Sequence, residues 1–172
     1  MKVSAIMIGS LLYLTPAAIS AQTVSDAQIA SIVVTANQVD IDAGKLAASR
    51  GSNQQIKKFG EQMVTDHTAV NKQATALVTR LQVTPQDNST SQSLKAGGEK
   101  NVASLKSLHG AEFDKAYIDN EVRYHQAVIE AIDNTLVPSA HDADLKALLV
   151  KVRPAFVAHL EHAKMIQSSL GE

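Results

Sequence analysis

Four segments of this 172-residue chain carry apolar side chains at three- and four-residue spacing, each bounded by helix start and stop signals. After the capping-box pair Ser25 and Gln28, the stripe Ile29, Val33, Ala36, Asp40, Ala43 and Ala47 predicts a first helix over about 25–50. Gly51 is its stop, and Ser52 with Gln55 reads as a second capping box that opens a helix over about 52–82. That helix carries Ile56, Phe59, Met63, His67, Val70, Ala74, Leu77 and Leu81 on one seam. A turn this tight makes the two helices antiparallel neighbours.

The stretch 83–90 is polar and turn-like. Leu94, Val102, Leu105 and Leu108 predict a short helix over about 91–108, interrupted or frayed at Gly97 and Gly98. It is long enough to return the chain along the bundle as a crossover between the second and third main helices. The third follows Gly110, over about 111–137, with Phe113, Tyr117, Ile118, Glu121, His125, Val128, Ile129 and Ile132 on its apolar side. Pro138 and Ser139 separate it from a fourth over about 140–169, where Leu145, Leu149, Val152, Phe156, His159, Ala163 and Ile166 form the last stripe. Pro154 removes a helical hydrogen bond to the Val150 carbonyl and predicts a kink just before His159. No hairpin signal appears, so the expected fold class is all-α: a four-helix bundle with a crossover that contains a short extra helix.

Before these helices stand Met1, Lys2, an apolar run from Val3 to Leu14, Pro16 and the small residues Ala17 to Ala21. A charged start, a short apolar core and a small-residue exit read as a secretory signal peptide over 1–21, with cleavage after Ser20 or Ala21. The run is shorter than the roughly 20 residues that span a bilayer. The remainder, 22–172, is the size of a single domain with one core and has no later transmembrane stretch. The expected location is therefore outside the cytoplasm, in the periplasm or associated with the outer membrane.

Cysteine is absent, so there is no disulfide, thiolate metal site or covalent haem motif. Sixteen basic and 17 acidic residues are interspersed, and only 3% of residues are aromatic, which argues against a nucleic-acid surface or a stacking platform. Catalytic signatures are missing as well. No Glu-x-x-His occurs, although bundle di-iron enzymes use one on each of two helices, and no Gly-x-Ser-x-Gly or phosphate loop is present.

On each main helix one ionisable residue interrupts the stripe near its midpoint: Asp40, His67, His125 and His159. With a crossover in place these midpoints fall within one or two helical turns of a common layer. Three imidazoles and a carboxylate are normal ligands for a divalent transition metal such as copper, zinc, iron or manganese. Met63, one turn before His67, would favour copper, but methionine more often simply fills a core. Glu121 and His162 are further candidates, and His162 stands three residues after His159 towards the flank. The competing account is a hydrogen-bonded polar layer in which the histidines pair with Asp40, Asp66, Glu121 or the hydroxyls of Tyr117 and Tyr124. Gly44 and Gly60, almost level across the first turn, predict a close approach of the first two helices just below Asp40 and His67. His109 and His141, near helix starts, are assigned no role.

Taken in order, VDIDAGKLA (39–47), FGEQMVTDHT (59–68), FDKAYIDNEVRYHQ (113–126) and VRPAFVAHLEHA (152–163) resemble an exported bacterial family. It is the one catalogued as domain of unknown function 4142, placed with the ferritin-like bundles. The resemblance implies a ferritin-like four-helix fold, and it carries His67, His125 and His159 over as the family's histidines. Where the chain has Asp40 the family pattern has glutamate, one methylene longer. The expected function is that of a non-catalytic envelope or stress-related protein whose central polar layer is structural or binds an envelope partner, a second copy or a small ligand. The alternative is a metal-binding or redox protein built on the His/Asp cluster. A third reading, non-covalent haem between a histidine and a methionine, is opposed by the scarcity of aromatics.

Overall fold

The computed structural model describes residues 24–171; the expected signal peptide at 1–21 lies outside them. Among the described residues there are five long helices and no strands: α1 (Asp26–Arg50), α2 (Gln54–Arg80), α3 (Ser89–Lys106), α4 (Gly110–Ala131) and α5 (Ala143–Leu170). Between α4 and α5 come a π-helical turn, Ile132–Leu136, and a short α-helical turn, Val137–Ser139.

The Ser25 and Gln28 box caps α1, with both reciprocal bonds formed. At α2 the cap is Asn53 instead of the expected Ser52, and its side chain accepts from the Gln55 N–H. Ser52 is engaged elsewhere. Its N–H and the N–H of Asn53 donate to the buried carboxylate of Asp114 on α4, at 2.9 and 2.7 Å. Asp26 plays the corresponding part at the other end, accepting from the backbone N–H groups of His141 and Asp142 in the α4–α5 connection.

Inter-helix contacts fix the directions. Gly44 meets Gly60, Asn37 meets His67 and Asn71 reaches Val34, so residue numbers rise on α1 as they fall on α2 and the pair is antiparallel. Between α4 and α5, Gln167 bonds Asp119 and Arg153 bonds Asp133, again antiparallel. The helix α3 lies on α1 and runs parallel to it, from Ser31 beside Asp87 to the Arg50 side chain on the Lys106 carbonyl. It thereby returns the chain so that α4 starts beside the α1–α2 turn.

The expected interruption of the crossover helix does not occur: α3 is continuous through Gly97 and Gly98. The reason is tertiary. A Cβ on Gly98 would stand 2.6 Å from a methyl of Val39, so the glycine is what lets α3 seat on α1. The same device joins α1 to α2 as expected, because a Cβ on Gly60 would meet the Gly44 carbonyl oxygen at 2.6 Å.

The core is in two halves. One holds Ile29, Ile32, Leu77, Leu136, Leu149 and Phe156, and the other holds Ala47, Ile56, Phe59, Met63, Tyr117 and Ile166. The buried polar residues Asn37, Asp40, His67, His125 and His159 occupy the sequence positions between the halves on all four helices concerned, and Glu121 stands one turn before His125.

Candidate metal centre

Four helices deliver ionisable side chains to this middle layer: Asp40 from α1, His67 from α2, His125 with Glu121 from α4 and His159 from α5. Asp40 and the three histidines are 1, 1, 0 and 3% exposed, so the group lies out of bulk water. The imidazole centroids stand 5.4–5.7 Å apart in a nearly equilateral triangle. One ring nitrogen from each lies within 4.8 Å of the other two. A second group, Asp40, Glu121 and His125, meets the same distance.

Each histidine is held by one nitrogen, and this turns the other towards the layer. The Asn37 amide donates to the Val33 carbonyl, so its oxygen faces His67 and accepts the Nδ1 proton at 2.7 Å. His125 donates from Nδ1 to the Glu121 carbonyl at 3.0 Å, and His159 donates from Nε2 to the Asp66 carboxylate at 2.9 Å. In the neutral rings of His125 and His159, Nε2 of the first and Nδ1 of the second are then bare lone pairs, and both are buried without a hydrogen-bond partner. Both carboxylate oxygens of Asp40 are also unpartnered. The Asp40 Oδ2 nevertheless lies 2.7 Å from His67 Nε2, the distance of an ion pair, and 3.5 Å from His125 Nε2.

The electrostatics favour ligand-ready protonation states. Burial alone would raise the Asp40 pKa, but the adjacent imidazoles of His67 and His125 outweigh it and hold the carboxyl at about 2, fully ionised. Burial depresses His125 to about 4 against the attraction of Asp40, and it depresses His159 against its bond to Asp66, so both rings stay neutral near pH 7. Glu121 goes the other way. Burial and then the Asp40 charge push it well above the ordinary carboxyl value, leaving a neutral acid beside an ionised one.

Met63 is fully buried in the apolar half with Phe59 and Tyr117. His162 is half-buried on the flank, 3.3 Å from the Gln62 side chain and edge-on to Phe59, outside both ligand groups. Tyr124 donates to the Ala36 carbonyl, and the Tyr117 hydroxyl is buried with no partner. Asn37 is the contributor that sequence reasoning missed. Its only signal is that it stands one turn before Asp40 on the same helix.

An all-helical chain whose interior is divided by a buried histidine and carboxylate layer is the class defined by fold and site. The chain belongs to the family described as Domain of unknown function (DUF4142), which matches residues 14–166. No curated protein and no solved structure matches it.

Proposed function

We propose that this is a metal-binding bundle protein of ferritin-like arrangement, in which His67, His125, His159 and Asp40 hold one divalent first-row ion. The observation that carries the reading is the convergence of three buried imidazoles on one layer with an ionised carboxylate, where Nε2 of His125 and Nδ1 of His159 have no hydrogen-bond partner and Nε2 of His67 faces Asp40. A polar layer that served structure alone would satisfy its members with one another, because an unpaired buried polar atom costs about 1–3 kcal/mol. Here each ring is fixed from behind by an amide oxygen, a carbonyl or a carboxylate. This is how metal-bound histidines are oriented and made more basic.

The donor set suits zinc or copper, since imidazole and carboxylate oxygen without thiolate are normal ligands for both. With bonds near 2.0–2.1 Å, a tetrahedral ion holds its ligand atoms roughly 3.3–3.5 Å apart, so the three imidazoles would close in on the ion on loading. Four protein ligands and near-zero exposure make the site closed, which favours binding over catalysis. One ligand comes from each of α1, α2, α4 and α5, so the ion would cross-link the helices and couple its binding to the fold. With residues 1–21 read as a secretory signal, this binding takes place in the cell envelope.

The test is thermal melting of chelator-stripped protein with one equivalent of zinc, copper, iron or manganese. Loading at about 1,000 times Kd contributes about 4 kcal/mol and raises Tm by several degrees or more. His125→Ala and His159→Ala should abolish the shift. A native protein that melts at the same temperature with and without every one of these ions contradicts the reading.

A further inference from the structure

Phe156, whose ring packs edge-on against His67 at 5.0 Å, also lines a cavity of about 140 Å³ that contains none of the proposed metal ligands. Ile132, Leu136, Leu149 and Val152 form much of the remaining wall. Close-packed interiors keep few voids larger than a water molecule, and this cavity, which reaches into the apolar half from an open rim, is well above that size.

Water does not suit it. A buried water needs two to four polar partners, and the polar groups in the wall are committed. The Asn37 side chain is used at both ends, by Val33 and His67, and the Tyr124 hydroxyl is used by the Ala36 carbonyl. Thr90 is exposed and stands at the rim. The rim leads outward, because Thr90, Leu94 and Tyr124 also line a groove of about 400 Å³ where α3 faces α4. Ile132 and Leu136 are the first and last residues of the π turn, a local irregularity often found at functional sites.

We propose that this cavity is a binding site for a compact, uncharged, apolar molecule about the size of one aromatic ring, admitted from the groove between α3 and α4. The size follows from the volume, since a dry apolar cavity of about 150 Å³ takes up benzene or xenon. The chemistry follows from walls that are almost wholly apolar and carry no charged side chain. A ligand there touches Phe156, so its arrival is felt at the His67 ring.

The experiment titrates metal-free, full-chain protein with benzene and follows methyl and ring resonances by NMR, so that its outcome is independent of the metal reading. The expected result is saturable, one-to-one binding that shifts the methyls of Ile132, Leu136, Leu149 and Val152 and the ring protons of Phe156 and His67. Ala131→Leu and Val33→Phe fill the cavity from different walls, and each should weaken binding at least tenfold. If one of them fails to fold, the other decides. No saturation up to the solubility limit of benzene, shifts confined to other surfaces, or unchanged binding in a folded filler variant would overturn the proposal.

Discussion

Asn37 and His67 are locked at 2.7 Å with a proton on Nδ1, and this bond turns Nε2 of His67 towards Asp40. Replacing the amide by an apolar group of similar size should therefore damage binding without removing a ligand. Asn37→Leu is expected to weaken zinc binding by about 10–100-fold, the usual cost of losing a residue that orients a ligand. A chelator-competition titration measures it, and Asn37→Asp, which keeps an acceptor in place, should retain most of the affinity.

Adjacent glycines on α3 should answer oppositely to alanine. Gly97 has nothing within 4 Å of a new Cβ, so Gly97→Ala gains helix propensity and stabilises by about 0.5–1 kcal/mol. Gly98→Ala drives a methyl into Val39, a stiff β-branched side chain, and destabilises by about 1–3 kcal/mol. Urea denaturation of the two variants checks both signs.

The neutral Glu121 gives the metal-free protein a stability that declines with rising pH. Its folded-state pKa lies well above the ordinary 4.5, so the folded state holds a proton that the unfolded chain releases. Its contribution is full below about 4.5 and is lost as pH rises from there through the folded value. Glu121→Gln keeps a neutral side chain of the same shape. Its stability relative to the native protein should therefore increase between pH 5 and 8, and a constant difference across that range would refute the assignment. His125 has the opposite sign, because its pKa of about 4 makes stability fall as pH drops from about 6.5.

Asp114 ties α4 to the α1–α2 turn by accepting two backbone N–H groups. Asp114→Ala strands both donors and should cost about 2–4 kcal/mol in denaturant unfolding. Zinc affinity of the folded variant should remain near that of the native protein, since Asp114 belongs to neither ligand group.

The long helices were legible because burial imposes a 3.6-residue period, and the shared level of Asp40, His67, His125 and His159 followed from counting along α1, α2, α4 and α5 from their turns. The approach of Gly44 to Gly60 was legible for the same reason. What escaped depends on partners distant in sequence. Ser52 looked like a cap, but Asp114 engages it and the capping passes to Asn53. Gly97 and Gly98 looked like a break, yet contact with Val39 explains one of them within an unbroken helix. The π turn at Ile132–Leu136 leaves no mark in an apolar stripe that continues on both sides of it. Asn37 carries no signal of its own in the sequence, because its value lies in an imidazole contributed by another helix.

The most direct measurement is X-ray absorption at the edge of zinc or copper in stoichiometrically loaded protein, which reports the atoms bound to the ion. The account predicts one ion per chain with three imidazole nitrogens and one carboxylate oxygen near 2.0–2.1 Å, falling to two imidazoles or to no bound ion in His159→Ala. A shell of water and carboxylate oxygens with no imidazole signature, or a chain that retains no ion after desalting, would contradict it.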